Sequence, residues 1–375
     1  MDPKILTGLI FCLVYLFVIV SNRYVAAALW VGVVALFLVP FALGMEPIIR
    51  PEHLFELGPE GSWESINWNV IGIFAGMQLV AAVFIYSRVP AVMSDWLISK
   101  TPNVCWAILG VCALSSFISV FADNVATVLI VAPIAIELAK KLDVSPAPFL
   151  IGIAISSNLQ GTATLIGDPP SMILAAQYKM NFAQFFVHHG HFGVFWAVQV
   201  GAVAGFAVLG FMFRKHRQPI SEEPSAEVRS WVPVVLLVLM ILGLAFGSVV
   251  DEDFLWFGGT VCLTGGTVAV LWTWQRDSDT AKRILKSYDW HTTCFLMGVF
   301  MMVFALTESG LIATAARWVH RVTGGSVLST FILIVLFSML LSAFVDNIPY
   351  LAAMLPLVVQ LSQTLDLDNN MVLSY

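Results

Sequence analysis

The sequence predicts an all-α polytopic membrane protein made of two inverted repeats, each with a helical hairpin and a broken transmembrane helix. Three observations predict it. Apolar residues make up 59% of the 375 positions and charged residues only 11%, where a soluble domain carries about 25% charged. The apolar positions gather in runs near the ~20 residues that cross a hydrocarbon core of about 30 Å. An acidic pair, Asp123-Asn124 within SVFADNVATVLIVAPI, interrupts such sequence and recurs as Asp346-Asn347 within SAFVDNIPYLAAMLPL.

Taken in order, simple spans are expected at 5–21, 24–43, 67–86, 192–213, 231–249, 254–274 and 290–311, with longer apolar regions at 103–139, 147–178 and 326–362. No small-residue cleavage site follows 5–21, so it reads as a retained helix and not a removed signal. Basic residues set orientation, because Lys and Arg stay on the cytoplasmic side. Loops 214–230 (Arg214, Lys215, Arg217, Arg229) and 275–288 (Arg276, Lys282, Arg283, Lys286) are therefore placed inside. The acidic turn Asp251-Glu252-Asp253 and the glutamate-rich loop 44–66 fall outside. Region 103–139 starts beside Lys100 and ends beside Lys140-Lys141, so it enters and returns on one side. Its turn falls at Asp123-Asn124. Non-helical backbone survives at membrane depth only where protein or water covers it, which favours a re-entrant hairpin.

The two acidic stretches belong to a longer duplication. Trp68, Gly76 and Trp96 match Trp290, Gly298 and Trp318 at an offset of about 222 residues. After a one-residue slip, Ser119, Asp123, Asn124 and Pro133 match Ser342, Asp346, Asn347 and Pro356. A repeat this long is a duplicated domain, not a solenoid. With span 67–86 running inward and span 290–311 outward, the copies are inverted, the architecture of secondary transporters with a site near the midplane. The division is 1–213 for the first repeat (hairpin 103–139, broken helix 147–178), 214–230 for a cytoplasmic linker, and 231–375 for the second repeat (hairpin 326–362). The second repeat is truncated: the counterpart of 154–174 would begin near residue 377, so about 50 further residues are expected.

Polar groups concentrate at the two hairpin tips and at one break. A carboxylate inside a bilayer is expensive and rare, which singles out Asp123 and Asp346. Each is poised to hold a proton or a cation, or to cap its following helix. Segment 156–171, SSNLQGTATLIGDPPS, interrupts span 147–178. Gly161 and Gly167 permit unusual backbone, and Pro169-Pro170 can start a helix but not continue one. A broken helix exposes carbonyls at one half-end and amides at the other, ready for a cation and an anion. Asp168 is expected to cap the second half-helix or to contact an ion. Glu137 and Glu308 read as interfacial, and His188, His189 and His191 as an external loop cluster. Segments 88–99 and 312–324 read as amphipathic interfacial helices anchored by Trp96 and Trp318. Cys12, Cys105, Cys112, Cys262 and Cys294 lie in apolar segments without a CxxC pair and read as packing residues.

DNVATVLIVAPI, SSNLQGTATLIGDPPSMIL and DNIPYLAAMLPL together resemble the ion transporter superfamily, nearest to its arsenite/antimonite permease and P-protein permease branch with a citrate-transporter-like domain. The resemblance covers residues 20–375. It implies that Asp123, Asn124 and Thr127 with Ser157, Asn158, Gly161 and Thr162 form one half of an ion and substrate site, and that Asp346 and Asn347 belong to the other half. Dicarboxylate carriers of that superfamily have Ser-Asn-Thr at the hairpin tip. Here the tip is Asp-Asn, and a fixed negative charge disfavours a dianion unless a cation or proton neutralises it. The function expected is an ion-coupled secondary transporter of a small inorganic or organic anion, such as an arsenite-like oxyanion, working by alternating access. The coupling ion is H⁺ or Na⁺, with Na⁺ placed at Asp123, Asn124 and Asn158. A Na⁺/H⁺ antiporter is the alternative, and a channel or non-transporting membrane scaffold the alternative of another class. No catalytic set, cofactor or other metal is expected. Partners are the small ion or anion and the lipid bilayer, a homodimer being an option and nucleic acid none. The expected location is the inner membrane of a prokaryote.

Overall fold

A computed structural model describes residues 3–20, 24–56, 65–141, 144–215, 218, 227–251, 253–342 and 347–365. Asp346 and most of the linker 214–230 lie outside the described residues, as does the chain after 365. In order, the helices are α1 (Pro3–Val20), α2 (Val25–Ala42), α3 (Trp68–Tyr86), α4 (Val89–Ser99), α5 (Val104–Ser119), α6 (Asn124–Lys141), α7 (Ala147–Gly161) and α8 (Pro169–Tyr178). After a small antiparallel pair, β1 (Val187–His188) and β2 (His191–Phe192), come α9 (Val194–Phe213), α10 (Val232–Val250), α11 (Phe257–Arg276) and α12 (Ser278–Lys286). The chain continues through α13 (Trp290–Glu308), α14 (Leu311–Thr323), α15 (Val327–Ser342) and α16 (Asn347–Thr364). The fold is all-α, as predicted.

Among the described residues, five segments are long and apolar enough to cross a membrane: α2, α3, α9, α10 and the run Ser278–Glu308. A sixth is added if α14 and α15, bent by 115° at their junction, count as one span. Many apolar side chains point outward, among them Leu13, Val31, Val200, Leu242 and Leu340. In lipid that exposure carries no hydrophobic cost, and helix association must come from close packing and hydrogen bonds.

Chain contacts divide into two compact units, residues 1–71 with 289–375, and residues 72–288. Within the second, glycines let backbones meet. Gly72 and Gly76 form a GxxxG face on α3. A Cβ added at Gly76 would stand 2.1 Å from the Cys262 carbonyl on α11, and one at Gly72 would stand 3.0 Å from the Gly259 Cα. The same unit has an apolar core from α5, α6, α7 and α9, built on Val111, Cys112, Leu114, Val131, Ala135, Phe149, Ile153, Leu209 and Phe213. Gly152 of α7 sits against the Cys112 sulfur, so a cysteine fits where a larger side chain would not.

Within the first unit, Gly298 of α13 packs on Leu29 of α2, where an added Cβ would stand 3.0 Å from the Leu29 Cβ. The Trp30 indole donates to the Cys294 carbonyl at 2.9 Å. The Tyr15 hydroxyl donates to the Pro349 carbonyl at 3.3 Å, tying α1 to α16. Gly76 and Gly298, matched in the duplication, thus both mark close helix approaches. Element lengths repeat as well. Helices α3 and α13 each have 19 residues, α5 and α15 each 16, and α6 and α16 each 18, with Pro133 and Pro356 inside the last pair.

Some local expectations are altered. His188, His189 and His191 lie on and beside the β1–β2 turn, with the His188 and His189 rings 4.3 Å apart. Partial burial and the neighbouring His189 push His188 below the usual imidazole range. Most of the basic loop 275–288 is helix α12, because Asp277 caps it, accepting from the Thr280 N–H at 3.0 Å and the Thr280 hydroxyl at 2.7 Å. The Thr280 N–H, then its hydroxyl, hold Asp277 below the usual carboxylate range. The acidic turn at 251 is structural too. Buried Asp251 accepts from the N–H groups of Leu255 at 2.9 Å, Trp256 at 2.9 Å and Phe257 at 2.8 Å, capping α11.

Two outcomes follow. Gly76→Leu forces α3 off α11 and lowers the yield of folded protein in detergent several-fold, measured by size-exclusion chromatography, whereas Gly44→Ala, in open space, leaves folding within about 1 kcal/mol despite its positive φ. Asp251→Ala removes three charge-assisted bonds and costs about 2 kcal/mol in thermal or denaturant unfolding.

Candidate functional site

The site lies in the unit 72–288, where two interrupted helices come side by side. The first interruption is the turn between α5 and α6, and the second is the loop 162–168 between α7 and α8. Three serines on α5, an adjacent pair and a third three to four residues on, face the backbone of α7. The Ser119 hydroxyl donates to the Ser157 carbonyl at 2.7 Å, with longer bonds from Ser115 to Ile153 (3.4 Å) and from Ser116 to Ser156 (3.5 Å). All three serines are buried. Small hydroxylated side chains permit close approach and supply bonds where water is absent.

The predicted interruption at 156–171 is narrower in the structure. Helix α7 continues through Ser156, Ser157 and Asn158 to Gly161, and only 162–168 is non-helical. The Ser157 hydroxyl bonds back to the Ala154 carbonyl at 3.3 Å, so its polarity is met inside the helix. Beyond Gly161 the loop folds tightly onto both helix ends. Thr162 donates to the Leu159 carbonyl at 2.8 Å, and Thr164 to the Val120 carbonyl at 2.5 Å. A Cβ at Gly167 would stand 2.2 Å from the Gly161 carbonyl and 2.8 Å from the Ser119 carbonyl, so only glycine fits there.

Each second half-helix is capped by an aspartate. Asp123 Oδ2 accepts from the N–H groups of Val125 at 3.0 Å and Ala126 at 3.2 Å. Asp168 Oδ1 accepts from the Ser171 N–H at 3.2 Å and its hydroxyl at 2.9 Å. The amide ends of α6 and α8, which would otherwise attract an anion, therefore already face carboxylates. The tip also reaches α7 directly, for the Asn124 amide donates to the Asn158 Oδ1 at 2.8 Å. Thr127 is buried one turn into α6, its hydroxyl 3.4 Å from the Ala122 carbonyl.

Eight of the predicted residues thus fall in this one unit: Asp123, Asn124, Thr127, Ser157, Asn158, Gly161, Thr162 and Asp168. Asn347 is the first residue of α16, in the other unit, while Asp346 lies outside the described residues. Sequence reasoning did not select Ser115 and Ser116, and met Ser119 only as a repeat match. Their spacing on one helical face was the available signal. Nor did it select Gln160 of α7 and Gln199 of α9, whose amides exchange two bonds of 3.1 Å. Two isolated glutamines 39 residues apart give no sequence signal. Among the described residues, no group of three or more His, Cys, Asp or Glu side chains could hold a metal ion.

The chain is similar to known proteins. The family described as "Citrate transporter" (CitMHS) matches residues 14–374. "Uncharacterized transporter Rv2685" of Mycobacterium tuberculosis is 30% identical over 308 residues, covering 79% of this chain and 69% of that protein. "Magnetosome protein MamN" of Magnetospirillum gryphiswaldense is 23% identical over 286 residues, covering 71% of this chain and 61% of its own length. "P protein" of Mus musculus is 24% identical over 384 aligned positions, covering 80% of this chain and 45% of its own length. These relatives agree with the ion transporter superfamily and its P-protein branch. With two interrupted helices in one unit, several apolar spans and a family match along nearly its whole length, this chain belongs to the citrate transporter (CitMHS) family of membrane transporters.

Proposed function

We propose that this protein is a secondary active transporter, coupled to H⁺ or Na⁺, that carries a small inorganic or organic anion by alternating access. The observation that carries the reading is the double interruption. Two half-helix starts meet two half-helix ends, joined by the Asn124–Asn158 bond and capped by Asp123 and Asp168. Such an arrangement offers carbonyl and carboxylate oxygen to a cation, while the amide ends are already neutralised. An anion gains little there alone and more once a proton or cation has cancelled a carboxylate. This order of events is cotransport, and it favours a singly charged oxyanion or its neutral oxyacid, arsenite-like in size, over a dianion. By the sequence duplication, Asp346 and Asn347 are the counterparts of Asp123 and Asn124 in the second repeat.

The same two acids favour a second reading, a Na⁺/H⁺ antiporter in which cation and proton compete for the carboxylates. We place the protein in the inner membrane of a prokaryote, with no cofactor beyond the coupling ion and with a homodimer as one option for its assembly. It has no enzymatic role in this reading.

Flux into proteoliposomes of the purified chain, under imposed pH and Na⁺ gradients, tests both readings against arsenite, citrate, succinate and ²²Na⁺. Uptake of an anion driven by either gradient supports cotransport. Gradient-driven Na⁺ movement with opposite proton movement and no anion uptake supports the antiporter. No gradient-dependent flux of any probe sinks both. Asn158→Ala breaks the bond to Asn124 and lowers gradient-driven initial rates about tenfold, equivalent to ~1.4 kcal/mol. Asp123→Asn keeps an acceptor for the Val125 and Ala126 N–H groups but loses the charge. It folds, and its residual flux no longer depends on the pH or Na⁺ gradient.

A further inference from the structure

Among the described residues of the unit 72–288, four aspartates cap helices, and one is unlike the rest. Asp251 has both oxygens engaged by three backbone N–H groups. Asp277 accepts from Thr280 through both oxygens and stands at the protein surface. Asp123 places one oxygen on two N–H groups and is partly exposed. Asp168 is 1% exposed, and only its Oδ1 is engaged, by Ser171. Its Oδ2 is buried with no hydrogen-bond partner among the described residues.

The direction of that oxygen matters. It faces Gly161, where a Cβ would stand only 3.1 Å away. Gly161 ends α7, so Oδ2 looks at the carbonyl end of a helix, the end of partial negative charge. The residues facing it from α7 and α8, Gly161 and Ser171, bring no charge. From the α5–α6 turn comes Asp123, whose negative charge also acts on Asp168. The α8 amide end and Ser171 reach the carboxylate through Oδ1, and no described donor reaches Oδ2. A buried carboxylate left in this state carries a desolvation cost that a proton on the bare oxygen removes.

We propose that Asp168 is a proton-binding site of the transport cycle, taking one proton on Oδ2 while the α7–α8 break is closed and releasing it when that break opens to water. Protonation adds H⁺ to the carboxylate and involves no other bond. Oδ1 continues to accept from Ser171 in both forms, so the α8 cap survives each turnover while the charge of the site changes by one. Asp168 and Asp123 then form a pair of acids, one at each interruption, joined through the packed ends of α5 and α7. A proton on Asp168 leaves the tip carboxylate as the charge that a coupled cation or a second proton would meet. The assignment deepens the ion-coupled reading above and rests on it for its place in the cycle, but the protonation itself is measured without transport.

Infrared difference spectroscopy of the full chain in detergent, acid minus alkaline buffer, reads buried protonated carboxyls through their C=O stretch, which shifts in D₂O. The wild type shows such a band. Asp168→Asn, whose amide oxygen still accepts from Ser171, lacks it while eluting as a folded species. Asp123→Asn and Asp251→Asn keep it. A band that is undiminished in Asp168→Asn, or that disappears in Asp251→Asn instead, overturns the proposal. In the second arm, proteoliposomes loaded with pyranine report proton movement during gradient-driven flux of ²²Na⁺ or arsenite. Asp168→Asn loses at least tenfold of the proton signal, and retention of wild-type proton movement overturns the role in coupling. If the wild type moves no probe, the transport reading fails, while the infrared band still decides whether Asp168 binds the proton.

Discussion

The contact between α5 and α7 is the constraint on which the candidate site depends. Three serine hydroxyls reach the carbonyls of the neighbouring helix, and Gly152 lets the Cys112 sulfur lie against its backbone. With the helices this close, their ends arrive together. The loop that follows α7 can then close on the end of α5 through Thr164 and Gly167, and the turn that follows α5 can reach α7 through Asn124. Without that approach the two interruptions would be separate irregular segments, each with unmet backbone groups.

The same geometry explains why the acids sit where they do. Interrupting a helix frees N–H groups at the restart, and in lipid those groups need acceptors from the protein. An aspartate at each restart meets that need and also leaves a charge at the site. Capping and ion chemistry are thus two consequences of one residue choice. Asp251 and Asp277 do the first without the second, because their oxygens are saturated or solvated. Asp168 differs by having one oxygen that capping does not use.

Membership in the CitMHS family makes this chain a membrane transporter, and the proposed function places its chemistry at the helix interruptions. The Asp-Asn tip in place of Ser-Asn-Thr is a change of charge at the point where the hairpin meets the broken helix. A change of that kind alters what the site accepts before it alters the scaffold, since Asp and Ser both cap helices. The paired glycines at 76 and 298 belong to the other category. They set how near helices lie and carry no chemistry.

Much was readable from the chain alone because lipid imposes strict rules on sequence. Long apolar runs, rare acids and recurrent Trp, Gly and Pro positions were enough to predict an all-α membrane protein and to select eight residues that lie in one unit. Periodicity could not place the end of α7, because serine and asparagine are tolerated in a helix once their side chains bond back to it. Nor could it show the Gln160–Gln199 exchange, the serine stripe on α7 carbonyls, or the three N–H groups around Asp251. Each of these depends on which backbone atoms a side chain meets after folding. Sequence alone determined which residues are polar in an apolar chain. Tertiary structure decided which of their atoms are satisfied, because hydrogen bonds form between atoms at specific distances and not between residue types.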